Sequence, residues 1–218
     1  MTKELLLRFL TSLVLLLVLF YAMVFSGIYL MLLLILFYFL AAYEIIKNTN
    51  NILFIFFANI LLLLSFYSFY YLRGNSDYSL IILFWILITT FLSDTGGFLF
   101  GKFFGGKKLT KLSPNKTYSG SVGSFILSCS SLPLLNFLQT LWLSNLIVDF
   151  LELNFLAFTV GISLICQLGD LSVSFCKRKI NIKNTSNMLP GHGGVLDRID
   201  GLIFVLIFSL LLKLFELI

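Results

Sequence analysis

The sequence predicts an all-α protein, a polytopic integral membrane helical bundle of about seven transmembrane helices with its N-terminus in the cytoplasm. Of its 218 residues, 59% are apolar and only 11% are charged, and the mean hydropathy is +1.03. A soluble domain carries roughly a quarter charged residues, so the apolar excess must face lipid, which excludes an ordinary cytosolic enzyme. In lipid each segment must satisfy its own backbone polar groups, so the spans are expected to be helices.

Seven apolar runs come close to the length of about 20 residues that one bilayer crossing requires. The first run follows Lys3 and Arg8, as in a signal peptide. It lacks a small-residue cleavage site and leads almost directly into the second run, so we expect a retained span. The seven predicted spans lie near residues 5–21, 25–43, 51–72, 78–100, 120–143, 151–171 and 200–217.

The distribution of cations predicts the orientation, because short cytoplasmic loops retain Lys and Arg. With the N-terminus inside, all Lys and Arg residues except Arg73 and Lys213 fall on the inner side. The two long polar loops, 101–119 and 172–199, then share that face and are expected to build one site. The net charge of +5 therefore reflects membrane topology, and no nucleic-acid partner is expected.

A polar stripe begins at Asp170, at the end of an apolar run. Ser174, Lys177 and Arg178 follow at four, seven and eight positions, which return to the same side of a helix. A carboxylate, a hydroxyl and two cations suit a metal ion and phosphate oxygens. For the two cations alone, anchoring at the membrane interface is the simpler explanation. A carboxylate at the edge of the hydrocarbon is costly and usually functional, so Asp170 favours a site.

A glycine-rich loop, PGHGG at residues 190–194, precedes the last span and is followed by Asp197, Arg198 and Asp200. Glycines let backbone amides approach an anion, and the start of a helix favours a negative ligand. Asp197 and Asp200 face the same way and would repel each other without a cation, which predicts a magnesium site. A single Asp there is explained equally well by the helix dipole. His192, the only histidine, is either structural or part of the site.

A third polar segment begins with SDTGG at residues 93–97 and continues to SPNKT at residues 113–117. Asp94 lies deep in a span, and Lys116 lies in a turn between hydroxyl side chains. Such a loop is able to cradle the phosphates of a nucleotide, although it lacks the Walker pattern. Glycines spaced by four residues predict close helix packing in the same segment: Gly97, Gly101 and Gly105.

Over about residues 93–201 these motifs resemble the phosphatidate cytidylyltransferases, also called CDP-diacylglycerol synthases. The closing signature consists of the stripe from Ser174 to Arg178, then Lys183, the glycine-rich loop and the Asp-Arg-x-Asp sequence. The segments at 93–96 and 113–117 resemble a second conserved block of the family. The AAYE sequence at 41–44 resembles the family only weakly. The chain departs from the family pattern at Ser119, Cys176 and Asn184.

The resemblance implies a usually homodimeric helical bundle in the cell (inner) membrane, with its active site on the cytoplasmic face. It implies that phosphatidate attacks the α-phosphorus of CTP and that pyrophosphate leaves, giving CDP-diacylglycerol. Residues 1–75 would form N-terminal transmembrane helices and residues 76–218 the catalytic core. Asp170 and Asp197 would bind Mg²⁺, and K⁺ is a candidate second cation.

The resemblance also assigns roles to the remaining polar residues. Lys177, Arg178, Asp200 and His192 are the other candidate catalytic residues. The candidate substrate-binding residues are Ser174, Lys116, Asp94, Arg198 and Lys183.

Two alternatives remain open. A CTP-dependent lipid kinase of the dolichol or phytol type has a similar membrane core but releases CDP instead of pyrophosphate, so the leaving group separates the two. A lipid or ion transporter could use Asp94 and Asp170 to line a pathway. Protection of the 172–199 loop from proteolysis by a nucleotide would count against transport.

Overall fold

The computed structural model describes residues 3–110, 116–142, 148–186, 188 and 193–218. Helices account for most of them, and these residues contain no strand; Lys108 and Thr117 form an isolated bridge. The predicted all-α class is therefore confirmed. The helices are α1 (Lys3–Phe25), α2 (Gly27–Asn48), α3 (Ile52–Arg73), α4 (Asp77–Phe104), α5 (Tyr118–Cys129), α6 (Ser131–Trp142), α7 (Leu153–Lys179) and α8 (Leu196–Leu214).

The lengths and compositions of these helices make the chain an integral membrane protein. Five segments of the described chain are long and apolar enough to cross a membrane: α2, α3, α4, the α5–α6 pair over Tyr118–Thr140, and α7. Helix α1 contains the apolar stretch Thr11–Phe25. Helix α8 carries four charged residues among its 19. The first and last of the seven spans therefore stay predictions.

The predicted span at 120–143 is divided into two helices near Ser130. Pro133 has no N–H to donate to the carbonyl of Cys129, and its ring crowds that carbonyl, which breaks a helix at this point. The Ser130 hydroxyl and N–H both turn back to the carbonyl of Leu127. The sequence pattern of apolar residues does not reveal this break, because both halves are apolar.

Helices α4 and α7 extend beyond the hydrocarbon spans predicted for them. Helix α4 continues to Phe104 and α7 to Lys179, so part of each predicted polar loop is helical. The last turn of α7 contains Lys177, Arg178 and Lys179. Cations are favourable at a helix C-terminus, which carries a partial negative charge. The polar stripe that begins at Asp170 thus lies on a continuous helix.

Small residues bring α4 and α5 into close contact. A Cβ atom added at Gly97 would lie 2.8 Å from the Ser124 hydroxyl, and one at Gly101 would lie 3.1 Å from the Thr117 hydroxyl. On α5, a Cβ atom at Gly120 would lie 2.7 Å from the Gly97 carbonyl. Close packing of small residues is a main source of helix association in membranes. The predicted packing role is thus confirmed for Gly97 and Gly101, whereas Gly105 has open space around it.

Buried polar contacts join α4 to its other neighbours. Trp85 is fully buried, and its Nε1–H donates to Thr159 on α7 over 3.1 Å. The hydroxyls of Ser93 and Ser163 lie 2.8 Å apart. Hydrogen bonds of this kind hold helices in register in a medium that offers no water. Helix α4 is consequently the centre of the bundle and holds α7 in place.

The division of the chain at residues 75 and 76 stays a prediction. Helices α2 and α3 from the first part pack against each other, and α3 packs against α8 from the second part. One apolar cluster contains Ala41 and Ile45 of α2, Leu62 of α3 and Ile203 of α8. The N-terminal helices therefore share a core with the C-terminal part.

Arg73 is buried at the end of α3, with 5% of its surface exposed. Its guanidinium donates to the carbonyls of Met23 and Val24 in the last turn of α1, the latter over 3.2 Å. It also donates to the Gly74 carbonyl over 3.2 Å. The last carbonyls of a helix have no partner within the helix, and Arg73 satisfies them for α1. This explains why a cation lies on the side predicted to be poor in Lys and Arg.

Replacing Arg73 with Met is expected to destabilise the bundle by about 2–4 kcal/mol, because buried carbonyls lose a charged donor. Arg73→Lys should also destabilise it, since one ammonium cannot reproduce the planar fork of donors. The measurement is the unfolding temperature of the purified protein in detergent. Lys102→Met, at an exposed cation of α4, is the control. Equal unfolding temperatures for Arg73→Met and the control would contradict this role.

Candidate functional site

The polar stripe of α7 faces the first turns of α8. The Lys177 ammonium lies 3.0 Å from Asp197 Oδ1 and 3.4 Å from Asp200 Oδ2. The three side chains are only 13–16% exposed. Charge-assisted hydrogen bonds are stronger than neutral ones, and one ammonium here lies between two neighbouring carboxylates. The C-terminal end of α7 is thereby tied to the N-terminal end of α8.

Asp170 connects this arrangement to the segment before α5. Lys116 Nζ lies 2.6 Å from Asp170 Oδ2, and the carboxyl groups of Asp170 and Asp200 lie next to each other. Asp94 on α4 lines the same pocket as Asp170 and Lys116. Residues that are far apart in the chain thus form one network. We call it the acid–lysine cluster; it consists of Asp94, Lys116, Asp170, Lys177, Asp197 and Asp200.

Asp197 binds the loop that precedes α8. Its Oδ2 accepts hydrogen bonds from the backbone N–H of Thr185 over 2.9 Å and of Gly194 over 3.2 Å. Asp197 lies ahead of the apolar span predicted from residue 200. Burial raises the pKa of Asp197, but the hydrogen bonds from Thr185, Lys177 and Gly194 outweigh it and hold the pKa below its usual value. The Gly194 amide, expected to receive a phosphate, therefore binds a carboxylate of the protein.

Glu44, near the end of α2, is a residue that the sequence analysis did not assign to the site. It is fully buried. Its Oε1 accepts from Val195 N–H over 2.8 Å and from Ser186 Oγ over 2.5 Å. Its Oε2 accepts from Leu196 N–H and Thr185 Oγ1, each over 2.9 Å. Glu44 thus caps the start of α8, and a lone carboxylate in an apolar helix is the sequence signal for such a role.

Glycine is required at position 194 by the same contacts. A Cβ atom there would collide with the Thr185 hydroxyl and lie 2.8 Å from Glu44 Oε2. The last glycine of the PGHGG motif therefore allows the loop to approach Glu44 closely. Pro190, Gly191 and His192 lie outside the described residues, so the role of His192 stays a prediction.

The other predicted cations lie on the exposed surface of the segments that carry the cluster. Arg178, Lys183 and Arg198 are exposed, and the Arg178 guanidinium donates to the Ile182 carbonyl over 3.3 Å. Ser174 is half-buried on α7, one turn before Lys177. The substrate contacts expected for these residues stay predictions.

Ser119, one of the departures from the family pattern, is tied into the polypeptide backbone. Its hydroxyl donates to the Gly105 carbonyl and lies 2.9 Å from the Thr117 hydroxyl. An ionised acid could not donate to that carbonyl. The serine therefore closes the loop between α4 and α5 with a contact that a carboxylate cannot make.

A pocket with a volume of about 290 Å³ lies between α4, α5 and α7. It is close to the lower end of the roughly 300–1,000 Å³ of small-molecule sites. Three members of the acid–lysine cluster line it, Asp94, Lys116 and Asp170, together with small residues of α4 and α5. We call it the polar pocket. Its charged groups and small side chains suit a polar ligand that carries phosphate.

The Asp170 and Asp200 carboxyl groups fit a divalent cation. The two carboxyl groups lie next to each other, and two neighbouring carboxylates attract a cation. Among the described residues, no three His, Cys, Asp or Glu side chains form a group that could hold a metal alone. Mg²⁺ commonly binds one or two carboxylates and completes its shell with water and substrate phosphates. Asp197, also predicted as a ligand, would have to exchange Lys177 for the cation.

The fold and the cluster together define a class of protein, a membrane-embedded helical bundle in which acidic and lysine side chains of several helices meet. Comparison with known sequences then identifies the family. Residues 46–215 match the cytidylyltransferase family, and the chain belongs to it. This confirms the resemblance seen in the motifs.

Several curated relatives carry the name phosphatidate cytidylyltransferase. The chain is 35% identical to that of Bacillus subtilis (strain 168) over 150 residues, 68% of this chain and 53% of the relative. It is 37% identical to that of Staphylococcus aureus (strain COL) over 148 residues, 66% of this chain and 52% of the relative. It is 38% identical to that of Helicobacter pylori (strain ATCC 700392 / 26695) over 128 residues, 59% of this chain and 45% of the relative. The chain spans about half the length of the curated relatives it matches.

Proposed function

We propose that this protein transfers CMP from CTP to phosphatidate, giving CDP-diacylglycerol and pyrophosphate. The observation that carries the proposal is the acid–lysine cluster, in which Asp170 of α7 meets Lys116 before α5 and Asp200 of α8. The family and the names of its relatives support the same reaction. As a nucleotidyltransferase, the protein would serve phospholipid biosynthesis.

Nucleotidyl transfer requires positioning and charge neutralisation more than covalent chemistry. The polar pocket would receive the triphosphate of CTP, with Lys116 donating to its oxygens. Asp200 lies between Asp170 and Lys177, and Lys177 would donate to another phosphate oxygen. When bound, Mg²⁺ would neutralise charge on the reacting phosphates; Asp170 and Asp200 would hold it, with Asp197 as a further predicted ligand. K⁺ remains the candidate second cation.

The predicted orientation of the chain supports a membrane setting for the proposed reaction. Lys116 and Lys177 belong to the two segments predicted to face the cytoplasm. We propose that the reaction occurs on the cytoplasmic face of the cell's inner membrane, where phosphatidate keeps its acyl chains in lipid. The family resemblance adds a homodimer to the proposal.

The test uses purified protein supplied with phosphatidate, Mg²⁺ and CTP labelled at the α-phosphate. We expect a labelled CMP-bearing lipid, whose formation stops on chelation of the metal. Asp170→Asn should reduce the rate by about 10²- to 10³-fold, because a group that neutralises charge in the reaction is lost. The control is Asp77→Asn, at the exposed opposite end of α4. An unlabelled lipid, or an Asp170→Asn protein as active as the control, would contradict the proposal.

The same assay separates the two alternatives. A CTP-dependent lipid kinase would transfer label from the γ-phosphate of CTP and release CDP, whereas the proposed reaction transfers label from the α-phosphate. The family match does not favour the kinase. A transport function does not account for the match to the cytidylyltransferase family, and a transporter would form no labelled lipid.

A further inference from the structure

A second pocket, with a volume of about 450 Å³, lies at the end of the bundle opposite the acid–lysine cluster. Lys213 of α8 lines it, and Asp200 of the cluster lies about 20 Å away along the same helix, at about 1.5 Å per residue. The predicted topology places this end on the outer side of the membrane. We call it the outer pocket; its wall includes Gly27 of α2, Tyr67, Tyr70, Tyr71 and Arg73 of α3, and Lys213 of α8.

The two cations that the sequence analysis places on the outer side both line the outer pocket. Arg73 ends α3 and Lys213 lies in the last turn of α8, so they meet only because these helices pack together. A Cβ atom added at Gly74 would lie 3.9 Å from Lys213 Nζ, which places the ammonium next to the residue after Arg73. A pocket lined by charges of one sign attracts a ligand of the opposite sign. The outer pocket is therefore suited to an anion.

The Lys213 ammonium keeps its charge available for a ligand. It donates to the Tyr71 carbonyl over 3.4 Å and to the Leu72 carbonyl over 3.3 Å. An ammonium carries a further N–H donor, which is left for a ligand. Among the described residues, the ion pairs belong to the acid–lysine cluster and none includes Lys213. The acids nearest in sequence to the two cations, Asp77 and Glu216, are exposed.

Three tyrosines of α3 line the outer pocket beside the cations. Tyr67, Tyr70 and Tyr71 lie on one face of the helix, because residues three and four apart are neighbours there. The rings of Tyr67 and Tyr71 are stacked with their centres 6.1 Å apart, and Lys213 Nζ lies 5.3 Å from the centre of the Tyr71 ring. Tyrosine is enriched where hydrocarbon meets water, since its ring contacts acyl chains and its hydroxyl binds polar groups.

The depth of the outer pocket in the membrane favours a lipid over a free ion. Gly27 is the first residue of α2 and Arg73 the last residue of α3, and both helices are long and apolar enough to cross a membrane. The pocket therefore lies where these two spans end, which is the level of the lipid headgroups. An anion at this level is most often the phosphate of a phospholipid.

We propose that the outer pocket binds the headgroup of an anionic phospholipid from the outer leaflet. Its phosphate accepts a hydrogen bond from Lys213 and lies near the charge of Arg73, and its acyl chains stay in the bilayer beside the tyrosines. The lipid connects the start of α2 to the ends of α3 and α8. It is a structural ligand, separate from the reaction proposed at the other end of α8.

The first test measures thermal unfolding in detergent, with each shift taken against the same variant without lipid. Phosphatidylglycerol at saturation is expected to raise the unfolding temperature of the wild type by about 5 °C. Lys213→Met should lose most of this shift, whereas Lys213→Arg keeps the charge and should retain it. The control is Lys179→Met, at an exposed cation of α7. Equal shifts for Lys213→Met and the control would overturn the proposal.

A labelling experiment locates the lipid in the wild-type protein and needs neither a variant nor activity. The protein is irradiated with phosphatidylglycerol that carries a diazirine near the start of one acyl chain. We expect label in residues 26–30 and 67–75, displaced by unlabelled phosphatidylglycerol and not by phosphatidylcholine or inorganic phosphate. No label in these segments, or equal displacement by phosphatidylcholine, would overturn the proposal. Displacement by inorganic phosphate would show a site for free anions and would also overturn it.

Discussion

Lys177→Met is expected to reduce CMP transfer to phosphatidate by about 10²- to 10³-fold, the cost of losing one group that neutralises charge in the reaction. Lys177 lies between Asp197 and Asp200, at 3.0 and 3.4 Å, and is only 13% exposed. Without it, two half-buried carboxylates face each other with no cation between them. Radiolabel transferred from CTP to lipid measures the effect.

The matched control is Lys179→Met, two residues further along α7. Lys179 is exposed, and its ammonium lies 4.7 Å from the centre of the Phe175 ring. Its loss should leave the rate close to that of the wild type. The rate of Lys177→Arg should lie between those of Lys177→Met and Lys179→Met. The guanidinium keeps the positive charge but is larger than the space between the two carboxylates. A rate for Lys177→Met within threefold of the Lys179→Met control would disprove the assignment.

Glu44→Gln is expected to destabilise the protein by about 2–4 kcal/mol and to lower the rate of CMP transfer. The four hydrogen bonds to Glu44 come from two backbone amides and two hydroxyls. Glutamine would direct an NH₂ group at some of these donors and leave them without an acceptor. It would also remove a negative charge from the N-terminus of α8. Thermal unfolding in detergent and the lipid-labelling assay measure the two effects.

A second measurement tests whether Glu44 positions the start of α8 or only stabilises the protein. Thr185 and Ser186 bind Glu44, and Thr185 also binds Asp197. Tryptic cleavage after the neighbouring Lys183 should therefore become faster in Glu44→Gln well below its unfolding temperature. Glu152→Gln, at an exposed residue without a side-chain cap contact, is the control. Cleavage and activity equal to the control would show that Glu44 does not position the start of α8.

Much of the fold was predictable because the bilayer leaves few choices. Apolar runs of sufficient length must be helices, and once α7 is a helix its period places Asp170, Ser174 and Lys177 on one stripe. The same argument predicted that Gly97 and Gly101 pack closely against another helix, which the structure shows to be α5. It did not predict the break near Ser130, because hydropathy is the same on both sides of Pro133.

The sequence did not predict which residues of different helices contact each other. The sequence places Asp197 and Asp200 three residues apart, but only packing decides that Asp200 contacts Asp170 while Asp197 binds the amides of Thr185 and Gly194. A periodic pattern describes one helix and contains no information on the rotation of its neighbours.

The sequence by itself determined the all-helical membrane class, the family resemblance and which residues share one face of a helix. These properties depend on composition and local periodicity, which are read along a short stretch of chain. The tertiary structure alone decided that Glu44 of α2 caps α8 and that Lys116 reaches Asp170. Such contacts join residues far apart in the chain, and their geometry arises only when several helices pack together.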